Sequence, residues 1–204
     1  ELRHRINRGW AAFHKHKAEL CNRCYPLKER LRLFDACVSS AVLYGSASWT
    51  MLQEHESTLL TAQRRMLRYV LGECWSGRDG QSGGSEEPYW EFLQRTSQQI
   101  TNLLEKANLE NWVAQQRRRK YRWARKIASS KDGRWSRAIT SWSPQWDGSR
   151  IVVHAKRDQG HPSKRWDDDL VHFFEGRWQN IDTSIWKQRE DEFVRIRSAV
   201  GHAS

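Results

Sequence analysis

Apolar residues recur through the first third of the chain at steps of three and four, the spacing that collects side chains on one face of a helix. Between Arg3 and Leu20 the stripe is Ile6, Trp10, Phe13, Lys17 and Leu20, with His and Lys on the other face, which predicts a basic amphipathic helix. Pro26 stands where a first helical residue belongs, and Leu27, Leu31, Phe34, Val38, Ala41 and Gly45 follow in the same rhythm, which predicts a core helix. Tyr44 and Trp49, at the end of that stripe, are expected in the core. Thr50 with Gln53 fits a capping box, and Leu59, Gln63, Met66, Leu67 and Val70 carry a third helix to a stop at Gly72.

The rhythm then breaks. Cys74 to Pro88 holds four glycines, three serines and no aliphatic residue, so it reads as a flexible linker and the place of a domain boundary. Beyond it Tyr89, Leu93, Ser97, Ile100, Leu104 and Ala107 predict a further helix starting after Pro88, and another runs from Leu109 to about Ala128. Ser141 to Ser163 contains Pro144, Gly148, Gly160 and Pro162 and reads as an irregular connector, with Ile151 to Val153 as a possible short strand. Helices are expected again from Lys164 to about Phe174 and from Thr183, as cap, to about Val200. The organisation predicted is residues 1–73 as a three-helix unit, 74–88 as linker and 89–204 as a basic helical region: mostly α, with one irregular connector.

Composition changes this picture in two ways. The 204 residues are only 38% hydrophobic, so the core must draw much of its apolar area from aromatics, for which twelve tryptophans are available. Lys and Arg together number 35 against 24 acids, a formal charge of +11, which favours polyanions over acidic small molecules as partners. Nucleic acid is the default partner and an anionic membrane surface the alternative. No apolar run is long enough to span a bilayer and "ELRHRINRGW" has no signal-peptide core, so a soluble, intracellular protein is expected. Cys21, Cys24, Cys37 and Cys74 are then expected as thiols. A zinc site built on Cys21 and Cys24 would need His14, His16 or Cys37 brought to it by the fold.

Charge is concentrated. Between Val113 and Arg137 ten cations face a single acid, Asp132. On a helix, Trp112, Gln116, Trp123 and Ile127 fall on one side, and Arg118, Arg122 and Arg125 on the opposite one. Cations at such steps can meet successive phosphates, and Tyr121 and Trp135 are placed to stack on unpaired bases. The candidate nucleic-acid-binding residues are Arg117, Arg118, Arg119, Lys120, Arg122, Arg125, Lys126 and Arg134; a solvated helix face is the competing reading.

Asp167, Asp168 and Asp169, in "RWDDDL", admit two readings. Clustered carboxylates suit a two-metal nuclease, and they equally suit the first turn of a helix, where free N–H groups and the macrodipole favour negative charge. The apolar Leu170, Val171, Phe173 and Phe174 that follow favour the helix start, with no metal and no catalytic residue assigned in this chain.

Several segments together resemble a family. "PLKERLRLFDACVSSAVLYGSASWTM" followed by "LTAQRRMLRYVLG" is similar to the segment after the palm in reverse transcriptases of non-LTR (LINE-type) retrotransposons. "RRRKYRWARKIA", "GHPSKRWDDDL" and the closing "WKQREDEF" resemble the tails of the same elements, so the likeness covers nearly the whole chain and lies in the order of the motifs. It departs at Gly160-His161-Pro162, where the tail pattern has Gly-Arg-Pro. The resemblance implies that residues up to about Gly72 are the thumb gripping a template–primer duplex and that the tail binds template RNA or target DNA. It also implies a palm, with the catalytic aspartates and their Mg²⁺, upstream of Glu1 in the same polypeptide, and action in the nucleus. The chain is thus expected to bind RNA and DNA without polymerising by itself. The alternatives are a structural docking module, or a metal-dependent nuclease using Asp167 to Asp169.

Overall fold

A computed structural model describes residues 1–75, 87–130, 135–141, 145–146, 151–152 and 164–196. The fold is mostly α, and the chain divides into two compact units, 1–44 with 53–115, and 45–52 with 116–204. This division departs from the expected one. The helix after the Gly/Ser stretch packs onto the helix before it, so 89–115 belongs with the first unit.

In the first unit, α1 (Leu2–Lys15) and the single turn α2 (Lys17–Leu20) replace the one predicted helix, with a break at His16. Phe13 and Leu20 are buried as the stripe predicts. Gly9 is buried too, because α1 passes so close to Val42 that a Cβ on Gly9 would stand 2.3 Å from the Val42 Cγ2. α3 (Leu27–Leu33) runs into a π-helical segment, Phe34–Ser39, and then α4 (Ser40–Val42). A π turn takes in an extra residue and rotates everything after it. Leu31, Phe34 and Val38 are accordingly buried, but beyond the π turn the core takes Val42 and Leu43 in place of Ala41 and Gly45. The same rotation leaves Tyr44 67% exposed, against expectation, beneath the Arg5 guanidinium at 4.7 Å; Trp49 is half-buried.

α5 (Gln53–Leu71) buries Leu59, Gln63, Met66, Leu67 and Val70, the full predicted stripe, and ends at Gly72 with φ 74°. It starts at Gln53 itself, so Gln53 does not occupy the third position that a capping box requires. Arg30 is buried and reaches two helix ends: its Nη1 donates to the Leu20 carbonyl at 3.2 Å and to the Val70 carbonyl at 2.6 Å. These are C-terminal carbonyls without helical partners, where a cation is favoured by geometry and dipole. α6 (Tyr89–Lys106) buries Phe92, Thr96, Ile100 and Leu104, a face rotated from the predicted one, and Tyr89 and Trp90 are exposed. Of the predicted linker, 76–86 lies outside the described residues. Its flanks meet: Trp75 Nε1 donates to the Glu87 carbonyl and its ring lies edge-on to Tyr89 at 5.0 Å. α7 (Trp112–Ser129) begins in this unit, where Trp112 stacks on Phe34, donates from Nε1 to Ser39 Oγ at 2.7 Å, and gives its backbone N–H to Gln63 Oε1. The polar member of the α5 stripe is thereby satisfied in the core.

The second unit contains the rest of α7, α8 (Trp135–Ser141), the antiparallel pair β1 (Gln145–Trp146) and β2 (Ile151–Val152), α9 (Asp168–Phe173), α10 (Thr183–Gln188) and α11 (Glu190–Arg195). α8 falls where no helix is expected, and Val153 lies outside the described residues. Tyr121, Ala124, Ile127, Leu170, Phe173, Trp178, Trp186 and Phe193 form one core, so tryptophans supply much of its apolar area. Segment 45–52 is held into this unit by backbone carbonyls: Ser46 accepts from Gln116 Nε2, Ala47 from Trp166 Nε1 and Met51 from Lys164 Nζ. Asp182, not Thr183, caps α10, its carboxylate accepting from the Ser184 N–H at 2.8 Å and held below the usual carboxylate range by Ser184. Among the described residues no helix is long and apolar enough to cross a membrane.

Candidate nucleic-acid interface

α7 carries the densest run of cations, and its helical phase sorts them into three directions. Gln116, Lys120, Ala124 and Ile127 step by four, four and three and are all buried, with Tyr121 beside them. Trp123, expected on this side, is instead on the surface, because Ala124 takes the inward position.

Two expected surface residues are therefore core residues. Lys120 is 1% exposed; its Nζ pairs with Asp169 Oδ1 at 2.7 Å, donates to the Trp166 carbonyl and lies 4.9 Å from the Trp166 ring. Burial holds the ammonium below the usual lysine range, with Asp169 pulling the other way. Tyr121 is wholly buried, its hydroxyl donating to the Trp186 carbonyl at 2.9 Å, and burial pushes the phenol up to about 12. Neither side chain can reach a phosphate or a base while the core is closed.

The second direction faces α11. Arg118 meets Glu190 at 3.0 Å and Asp191 at 2.9 Å, Arg122 Nε lies 2.7 Å from Glu190, and Arg125 Nη1 lies 3.6 Å from the other Glu190 oxygen. One carboxylate, its side chain 14% exposed, thus gathers three of the predicted phosphate contacts. Arg117, on the same flank, donates to the Val194 and Ile196 carbonyls at the end of α11. The row Arg118, Arg122 and Arg125 is consequently partly neutralised from within the unit. No pattern within α7 reveals Glu190; the only hint in the sequence is the acidic run Glu190-Asp191-Glu192 in a basic chain.

The third direction is outward. Arg119, Arg122, Trp123 and Lys126 are exposed and fall within an arc of about 100° on the helix. Arg119, Arg122 and Lys126 are cations at steps of three and four, and the half-open face of Trp123, set edge-on to Trp166 at 4.9 Å, lies alongside them. Trp135, on α8, is 81% exposed, as a stacking residue must be. Arg134 lies outside the described residues, as does Gly160-His161-Pro162.

The three aspartates have separate structural partners. Asp167 precedes α9 and accepts from Trp178 Nε1 at 3.2 Å, Asp168 accepts from the Arg165 N–H at 2.7 Å, and Asp169 holds Lys120. Carboxylates turned to three different partners do not form the converging oxygen set a divalent ion needs. Among the described residues no three His, Cys, Asp or Glu side chains are grouped to hold a metal ion, Cys21 and Cys24 included. The residues thus do not fit Mg²⁺ at "RWDDDL"; Asp168 and Asp169 do lie in the first turn of α9, but Asp167 makes no side-chain cap hydrogen bond and Asp169 is the counter-charge of Lys120.

No family model matches the chain, and no solved structure matches it. Over 170 residues, 83% of this chain, it is 28% identical to a transposon-derived protein of Caenorhabditis elegans, of which the match covers 52%. The chain spans about half the length of that curated relative.

Proposed function

We propose that this chain is a transposon-derived, nucleic-acid-binding part of a non-LTR (LINE-type) reverse transcriptase, and that the outward arc of α7 grips phosphate backbones. The carrying observation is the exposure of Arg119, Arg122 and Lys126 at helical steps on one arc with Trp123 beside them. Cations in such a row neutralise successive phosphates, and the aromatic face adds a sequence-tolerant contact for a base. The transposon-derived relative and the order of the family-like motifs support the origin. In this reading the chain contributes binding and no catalysis. The polymerase aspartates and their Mg²⁺ belong to a palm elsewhere in the polypeptide, the ligands are template RNA and target DNA, and the place of action is the nucleus.

The test is fluorescence anisotropy of the full chain with duplex DNA, an RNA–DNA hybrid and single-stranded RNA, each in two unrelated sequences. Binding that weakens steeply with salt and differs little between sequences is expected. No binding at low salt to any of the six probes would overturn the reading and leave a docking module.

A further inference from the structure

We propose that the first unit carries a separate site for one unpaired nucleotide, in the cleft between α1 and α5 where the rings of Trp10 and Tyr69 meet. The cleft encloses about 370 Å³ and is lined by Trp10, Phe13, His14, Lys17, Arg65 and Tyr69. That volume falls in the range of small-ligand sites, about 300–1,000 Å³. Phe13 is 1% exposed and forms the floor, and Tyr69, His14, Lys17 and Arg65 are open to solvent.

The geometry of the rings is that of a corner. Trp10 and Tyr69 lie 6.0 Å apart at 80°, and Phe13 lies 5.6 Å from Trp10 and 6.2 Å from Tyr69. A flat base laid on one wall meets the edge of the other, the arrangement aromatic rings favour. The lining has two permanent cations and no carboxylate, so its charge complements a phosphate and opposes an acid-free cationic ligand. The Arg65 guanidinium is 5.6 Å from the Trp10 ring centroid, and His14 stacks on Trp10 at 5.8 Å. Arg65 is exposed and long enough to turn from the ring to a phosphate when a base takes its place. Stacking walls with cations at the rim are the elements by which single strands are held without regard to sequence.

Packing alone does not explain the cleft. Tyr69 lies outside the closed stripe of α5, and its ring is 48% exposed at the cleft, so burial in the core does not account for its place. The site is independent of the α7 arc, so either can fail without the other.

The test compares the full chain on two single-stranded oligonucleotides of equal length and charge, one with bases and one abasic throughout, so that phosphate contacts cancel in the ratio. The wild type should prefer the base-bearing strand, and the share of that preference owed to the cleft should be about five- to 150-fold, the range for one stacked base. Tyr69→Ala should reduce that preference strongly and Tyr69→Phe should keep it. An Arg119→Ala/Arg122→Ala/Lys126→Ala variant should bind both strands less tightly and leave the contribution of Tyr69 to the ratio intact. Tyr69 is half open, so its truncation leaves the fold in place, checked by circular dichroism. A photoreactive thiouridine in the strand should crosslink to Trp10 or Tyr69. An unchanged ratio in Tyr69→Ala, or crosslinks confined to α7 and α8, would overturn the site.

Discussion

Lys120 Nζ lies 2.7 Å from Asp169 Oδ1, with the lysine side chain 2% exposed and the aspartate 30% exposed. A cation from the middle of the most basic run in the chain is thus turned into the core, and the last aspartate of "RWDDDL" is its counter-charge. Removing one member of such a pair costs more than the pair is worth, because the other is left buried and charged. Asp169→Ala should therefore destabilise the second unit by about 3–5 kcal/mol. Lys120→Met should cost less, since it fills the same space and leaves behind only a partly solvated carboxylate. Urea unfolding of the two variants gives the order, and a reversed order would show that the pair is not what holds Lys120 in place.

Tyr121 supplies a pH signature. Its phenol is pushed up to about 12 from an ordinary 10.0, chiefly by burial. The folded state then holds a proton that the unfolded chain releases, so this contribution to stability is complete below pH 10.0 and is lost as pH rises through about 12. Phenolate absorbance should show a tyrosine titrating at about pH 12, and Tyr121→Phe should remove it. The same variant should lose about 1–2 kcal/mol of stability, because the Trp186 carbonyl is left without its donor. Absence of any phenol titrating at about pH 12 would place Tyr121 at the surface, where a base could stack on it.

Gly9 sets two effects against each other. Alanine in the interior of α1 should gain up to about 1 kcal/mol from helix propensity. Its Cβ would stand 2.3 Å from the Val42 Cγ2, on a β-branched side chain with little freedom to turn aside. Overpacking of this kind typically costs about 1–3 kcal/mol, so the clash should win and Gly9→Ala should be net destabilising. A stabilised variant in urea unfolding would mean that α1 can withdraw from Val42.

Glu190 is expected to restrain binding. It is the carboxylate on which Arg118, Arg122 and Arg125 converge, so Glu190→Gln should release guanidinium groups to phosphate. If two arginines each take up one phosphate, the slope of log K against log salt should steepen by about 2 units on duplex DNA. Weaker binding by a variant of unchanged helical content would show that Glu190 instead holds the arginines in their binding positions.

How far the sequence discloses all this depends on whether a feature is local. The stripe of α5 is fully legible, because five inward residues repeat at the helical period without interruption. The core face of α6 is missed because Tyr89 attracts the pattern to itself, although both it and Trp90 are exposed and the inward series runs through Thr96. The rotation after Phe34 follows from a π turn, which leaves no mark in the order of apolar residues. On α7 the inward series through Gln116, Lys120 and Ala124 is visible once a buried lysine is allowed, but Trp123 is the more obvious core residue. Glu190 lies 65 or more positions from the arginines it gathers, and Trp10 lies 59 from Tyr69, so their pairings are created by folding and are not written in any local pattern.

The central claim is that Arg119, Arg122 and Lys126 contact phosphates. It is tested most directly by a salt titration of duplex DNA binding by the wild-type chain and by the Arg119→Ala/Arg122→Ala/Lys126→Ala variant, with circular dichroism as the folding control. Loss of two to three phosphate contacts, Arg122 being shared with Glu190, predicts a slope of log K against log salt shallower by about 2–3 units, equally on unrelated sequences. An unchanged slope in a variant of unchanged helical content would contradict the claim and leave the arc as a solvated face.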